Sequence, residues 1–216
     1  MDEIELPRAS PEPADDSPYW QFYEEVACAQ LAAWAPEPPS LVLDLSGGRS
    51  RFAEQLSKDG HHILLVNGDV RTDGVTPVRA DARALGWLVD GSVDAVLAEA
   101  RALSMCLAAE VTVDELLRVL KPGGRLLLVV ESLLLGLARL ADQGRWAELA
   151  DVPSADVVLV PDPSGAITRC FWPEELAGLL ADVAMRSTGC DRARCCPRQP
   201  SSGRWPKAGP RRCARW

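Results

Sequence analysis

LVLDLSGGRSRFAEQL, residues 41 to 56, is the stretch from which the fold is read. Leu41, Val42 and Leu43 form a short apolar run ending in Asp44, the pattern of a strand buried on both faces of a sheet. Ser46, Gly47 and Gly48 supply a loop with almost no side chain, where a ligand can approach the backbone closely. Ser50 can cap the helix that follows, and Phe52 with Leu56, one turn apart, gives that helix an apolar side. A strand, a small-residue loop and a helix N-terminus together make a nucleotide-type pocket at the carboxyl end of a parallel sheet. A Gly-Gly turn between strand and helix is also often a plain connection, so the flanking sequence has to decide.

Downstream, the alternation of strand and helical segments continues. Ile63 to Val66 is a second buried strand, ending at Asn67-Gly68-Asp69, and Thr76 to Ala80 a third, ending at Asp81. Val93 to Ala98 is a fourth. Asp114 to Leu120 is an amphipathic helix stopped by Lys121-Pro122-Gly123-Gly124, with glycine suited to a left-handed C-terminal cap. Arg125 to Glu131 is a fifth strand. This spacing predicts an α/β fold, a Rossmann-like parallel sheet with helices on both faces. Beyond it, Leu133 to Ala141 reads as a helix, Gly144 to Pro153 as a connector, and Pro173 to Ala184 as a helix. Val157 to Val160 and Ala166 to Phe171 pair as a hairpin across PDPSG.

Upstream, Ser17-Pro18 opens a helix from Tyr19 to Trp34, which Pro36, Pro38 and Pro39 end. Its aromatic first turn is core-forming in the ordinary reading, but a helix in this place can also fold over a ligand. The chain thus divides into a disordered leader (1–17), one domain (18–184) and an irregular tail (185–216). Within the domain, residues 18–35 form the lid helix and 151–171 hold a hairpin insertion.

The formal net charge of -8 is unevenly distributed. Residues 184–216 carry nine basic residues against the single Asp191, a local +8, which leaves -16 for residues 1–183. An acidic body argues against a nucleic-acid surface, where phosphates call for clustered cations. The acidic amino terminus is not a signal peptide, and Glu131 and Arg139 interrupt the longest apolar region, so no membrane span is expected and the compartment is cytoplasmic. Cys28, Cys106 and Cys170 read as small buried hydrophobes. The four tail cysteines contain no CxxC pair, so no metal site is expected. His61 and His62 precede the second strand and so fall at its amino end, away from the pocket.

In this order the signals resemble the class I S-adenosylmethionine-dependent methyltransferases, in particular the small-substrate group, over Tyr19 to Ala184. LVLDLSGGRSRFAEQL resembles the first motif, DGSVDAVLAEA the fourth-strand motif, and VDELLRVLKPGGRLLLVVES the helix, turn and fifth strand. The resemblance implies S-adenosyl-L-methionine as cofactor and a small-molecule methyl acceptor as partner. It places Asp44 and the backbone of Ser46, Gly47 and Gly48 at the amino-acid end of the cofactor, and Asn67 at the ribose hydroxyls. Asp81 and the Ala82 backbone would hold the adenine edge. Ala98 and Glu99 would lie near the methyl group and substrate, with Glu99 the candidate substrate-side base. Carboxylates suit an ammonium, a diol and an adenine amino group, and loop amides suit a carboxylate.

The chain departs from the family in three places. Serines stand at positions 46 and 50 where the family's loop alternates glycines, which requires negative φ there. Asn67 stands where an acid is usual, and Asp69 can replace it only if the second strand stays extended. Nothing after Met185 reads as the family's closing strand pair, so those strands are missing or aberrant. The abrupt change in composition fits a shifted reading frame, which reading the neighbouring frames of the coding sequence would test. Two other readings stand beside methyl transfer. A dinucleotide-dependent oxidoreductase would need a GxGxxG loop that SGGRSR does not provide, and the other is a degenerate, non-enzymatic module.

Overall fold

The computed structural model describes residues 18–48, 50, 52–155, 157–161 and 165–187; the expected leader, the turn of the hairpin and nearly all of the basic tail lie outside them. In chain order the elements are α1 (Pro18–Trp34), β1 (Leu41–Asp44), α2 (Ala53–Lys58), β2 (His62–Val66), β3 (Val75–Val78), β4 (Val93–Ala98), α3 (Ala109–Val119) and β5 (Leu120–Leu128). There follow β6 (Glu131–Ser132), α4 (Leu133–Asp142), α5 (Trp146–Asp151), β7 (Val158–Pro161), β8 (Ile167–Phe171) and α6 (Pro173–Ser187).

The first five strands form one parallel sheet in the order β3-β2-β1-β4-β5. Alternate side chains of these strands serve two separate cores, because successive residues of a strand point to opposite faces. Val42, Ile63, Leu65, Ala95 and Leu97 pack with α1 and α2 through Leu31, Phe52 and Leu56. Leu43, Val66, Val96 and Ala98 pack on the other face with Leu116 and Val119 of α3 and with Leu85. Both faces are covered, which is why the strands read as unbroken apolar runs.

The fifth strand differs from the sequence reading. It begins at Leu120, because Val93 pairs with Leu120 and Ala95 with Arg125, so Lys121 to Gly124 bulge out of the ladder. The helix before it runs Ala109–Val119 and is capped by Leu120 in an extended conformation; the left-handed glycine, Gly123 (φ 78°), lies inside the bulge. The strand also stops at Leu128. Val129 still donates to the Ala98 carbonyl, and then Glu131 and Ser132 leave to pair with Cys170 and Phe171.

That exchange builds a second sheet, β6-β8-β7, in which the expected hairpin supplies the antiparallel pair. Its inner face packs on α4 through Leu133, Leu140, Val158, Val160 and Cys170. The expected connector over 144–153 in fact contains α5. Helix α6 lies against α3, with Val183, Phe171, Val113 and Leu103 between them. Among the described residues no helix is long and apolar enough to cross a membrane.

Candidate functional site

β1 is central, with β2 on one side and β4 on the other, so chain connections diverge to either side of its carboxyl end and leave a crevice there. The loop that follows β1 is held from below. Asp44 is 0% exposed; its Oδ1 accepts the Ser46 N–H at 2.8 Å and its Oδ2 accepts the Ser50 hydroxyl at 2.5 Å. Ser50 Oγ in turn accepts the Ala53 N–H at 3.1 Å, although the N-cap of α2 is Phe52, which makes no side-chain cap bond, and not the Ser50 expected. Burial pushes the Asp44 carboxyl above its ordinary range, against the opposing pull of hydrogen bonds from Ser46 and Ser50. Asp44 therefore tethers the loop, and its carboxylate does not open onto the crevice. The reason is that both carboxylate oxygens are already taken by the loop that follows the strand.

Gly47 (φ 65°) and Gly48 (φ 45°) are left-handed, whereas Ser46 is not. Ser46 thus occupies a position where a side chain costs nothing. Gly48 pairs with Gly68 across the crevice floor: its N–H reaches the Asn67 carbonyl at 3.3 Å, and its carbonyl accepts from the Asp69 N–H at 3.3 Å. A Cβ on Gly68 would stand 3.0 Å from the Gly48 carbonyl and 2.3 Å from Leu65 Cδ2, so the close approach requires glycine.

Asn67 is itself left-handed (φ 56°), a conformation that asparagine tolerates better than most other residues with a side chain. Its side chain brackets Ala80, donating from Nδ2 to the carbonyl at 2.8 Å and accepting the N–H at 3.3 Å. The backbone turn at Asn67 ends the strand, so alternation does not carry Asp69 into the same place. Both side chains lie on the exposed rim.

Asp81 is exposed on that rim and is bonded to Arg83 through both carboxylate oxygens, the shortest contact being 2.7 Å from Nη2. The Arg83 hydrogen bonds hold the Asp81 carboxyl below its usual range. Ala82 and Ala98 are buried in the core beneath the loop, which makes them floor rather than lining. Glu99 is 3% exposed at the end of β4, and its N–H meets Ser46 Oγ at 3.3 Å, joining β4 to the loop.

The structure thus brings Gly47, Gly48, Asn67, Asp69 and Asp81 to one rim over a floor of Asp44, Ser46, Ala82, Ala98 and Glu99. The sequence reading missed the residues after Glu99. Ala100 (φ 51°) and Arg101 (φ 62°) are consecutive left-handed non-glycine residues, an arrangement with no turn-forming signature in sequence. A separate hollow of about 300 Å³ lies at the opposite, amino end of the sheet, lined by Glu54, Ser57, Lys58, His61, His62 and Asp73 among others. It is wide open and far from the converging loops, so the crevice is the better candidate on topological grounds. Both histidines fall there, at the amino end of the second strand as expected, although His62 is itself the first residue of β2.

Residues 41–128, spanning β1 to β5, match the methyltransferase domain family. No curated protein sequence matches the chain. Among solved structures, the methyltransferase fold is shared with the 1,6-didemethyltoxoflavin-N1-methyltransferase of Burkholderia thailandensis, determined with 1,6-didemethyltoxoflavin and S-adenosylhomocysteine bound. The TM-score is 0.51 at 19% identity, over 78% of this chain and 68% of that one. The YcgJ protein of Bacillus subtilis is similar at a TM-score of 0.54 and 18% identity, over 74% of this chain and 68% of the other. At these identities the likeness is one of fold. The class I methyltransferase resemblance and the Rossmann-like sheet read from the sequence both stand.

Proposed function

We propose that this chain transfers a methyl group from S-adenosylmethionine to a small-molecule acceptor. The observation that carries the reading is the glycine loop of β1, bonded to β2 through Gly48 and Gly68 and to β4 through Ser46 and Glu99. Such a loop lets a ligand approach a backbone bare of side chains at Gly47 and Gly48, beside rim carboxylates that suit a diol and an adenine amino group. Gly47 and Gly48 would receive the amino-acid portion, Asn67 and Asp69 the ribose, and Asp81 with the Ala82 backbone the adenine edge. When bound, the cofactor supplies an electrophilic methyl group; the chain's task is to orient the acceptor and exclude water. Glu99 would sit at the acceptor side of the floor, and an acidic body favours small acceptors over nucleic acid.

Calorimetric titration of S-adenosylmethionine and S-adenosylhomocysteine into the full chain tests this. Saturable binding of both is expected. Binding of neither would instead favour the degenerate module, a reading supported by the internal bonds that already engage Asn67 and Asp81.

A further inference from the structure

Beside the glycine loop, at the carboxyl ends of β4 and β5, three charged side chains meet. Glu131 is buried, 3% exposed at its side chain, and its N–H is fixed by Ser104 Oγ at 2.8 Å. Arg101 Nη1 approaches its Oε2 at 3.3 Å, and Arg139 Nη1 of α4 lies 3.0 Å from its Oε1. The second contact is a charge contact without hydrogen-bond alignment, since Oε1 makes no hydrogen bond. One buried carboxylate needs one cation; here two share it, which leaves the cluster with a surplus positive charge.

Each guanidinium uses only Nη1 on Glu131 among the described residues, and each side chain stays about one-third exposed, 35% for Arg101 and 33% for Arg139. Two planar forks therefore keep Nε and Nη2 donors available, in the geometry that fits the paired oxygens of a carboxylate or phosphate. The backbone holds Arg101 there through two successive left-handed residues, a conformation the surroundings must impose. This positive spot stands within a body that is otherwise strongly acidic. It lies on the β4–β5 side of the switch point, whereas the rim residues assigned to the cofactor lie toward β2 and β3.

We propose that Arg101 and Arg139 recognise an oxyanionic group, carboxylate or phosphate, on the methyl acceptor, with Glu131 positioning both. The proposal rests on the methyltransferase reading of the same crevice. The test uses the full chain saturated with S-adenosylhomocysteine and titrated with benzoate, its neutral counterpart benzamide, and inorganic phosphate, followed by calorimetry and by arginine side-chain NMR. Benzoate or phosphate is expected to bind saturably, and benzoate at least about tenfold tighter than benzamide, the loss expected when a charge-assisted bond is removed. Whichever anion binds tells a carboxylate acceptor from a phosphate one.

R139Q is expected to weaken the anion about tenfold while leaving S-adenosylhomocysteine affinity unchanged. R101Q alone leaves Glu131 with one partner, so R101Q is also combined with E131Q, which removes a charge of each sign and protects folding; the same loss is expected. Equal binding of benzoate and benzamide, no anion binding to the loaded protein, or anion affinity unchanged in both variants would overturn the proposal while sparing the cofactor reading. Failure of S-adenosylhomocysteine to bind at all would overturn the cofactor reading instead.

Discussion

Asp44 and Asp81 both end the first and third strand regions as acids, yet their surroundings give them opposite roles. Asp81 is exposed and already paired with Arg83, so an adenine amino group must compete with a guanidinium for the same oxygens. R83A is expected to change stability by less than about 1 kcal/mol, as exposed ion pairs do. It is also expected to tighten S-adenosylhomocysteine several-fold, and calorimetry on the two proteins checks this; weaker binding would mean that Arg83 itself contacts the cofactor. Asp44 titrates against burial. Its folded pKa lies above the ordinary 3.8, so the unfolded chain loses that proton first as pH rises. Its contribution is therefore present below that ordinary value and is lost as pH rises through the folded one. Relative to D44N, whose side chain stays neutral, the wild type is expected to lose ground in Tm as pH increases through the carboxylate range. Thermal melts across that range decide, and a gap moving the other way would show that the serine hydrogen bonds outweigh burial.

At the scale of elements, the bulge in β5 is the feature most exposed to a single substitution. Gly124 comes so close to β4 that a Cβ would stand 2.9 Å from the Asp94 carbonyl and 2.7 Å from Leu120 Cδ1. The leucine can shift, but the strand backbone cannot, so G124A is expected to cost about 1–3 kcal/mol in urea denaturation. The strands of the main sheet were legible because each is a run of apolar residues closed by a turn residue or an acid, and burial on both faces leaves no polar alternation to confuse. The start of β5 was not, because Lys121-Pro122-Gly123-Gly124 carries every mark of a helix stop and none of a strand interior, yet ladder pairing simply steps around it. In the site, the glycines and the acids were readable from their types. Which acid is buried and which is salt-bridged depends on how the backbone folds around each: Ser50 turns back onto Asp44, Arg83 folds onto its near neighbour Asp81, and Ala80 meets Asn67 from the next strand region. The Arg101–Glu131–Arg139 group joins residues up to 38 positions apart through tertiary contacts alone, and no local pattern announces it.

The described residues form two sheets that meet beside the crevice, joined by an apolar cluster around Phe171 and by a few named polar groups. Ser104 is one: fully buried, it receives the Glu131 N–H on its hydroxyl and the Arg169 N–H on its carbonyl, both at 2.8 Å. Arg169 continues the junction, reaching Glu110 of α3 at 2.8 Å and Glu175 of α6 at 3.1 Å while stacking over Phe171. Removing the Ser104 hydroxyl leaves a buried N–H with no partner at the first residue of β6, a loss of about 1–3 kcal/mol. Because the second sheet has its own core against α4, that loss is expected to appear locally before it appears globally. In S104A, amides of β6, β7 and β8 should exchange with solvent faster, while those of β1 and β2 keep their wild-type protection. Hydrogen exchange resolved by residue measures both sets in one experiment. If all strands lost protection together, the two sheets would be one cooperative unit and the crevice would have no separately adjustable acceptor side. If only the second sheet loosened, anion binding near Arg101 would weaken while S-adenosylhomocysteine binding persisted, because the bonds that brace the glycine loop among the described residues come from β1 and from the ends of β2 and β4.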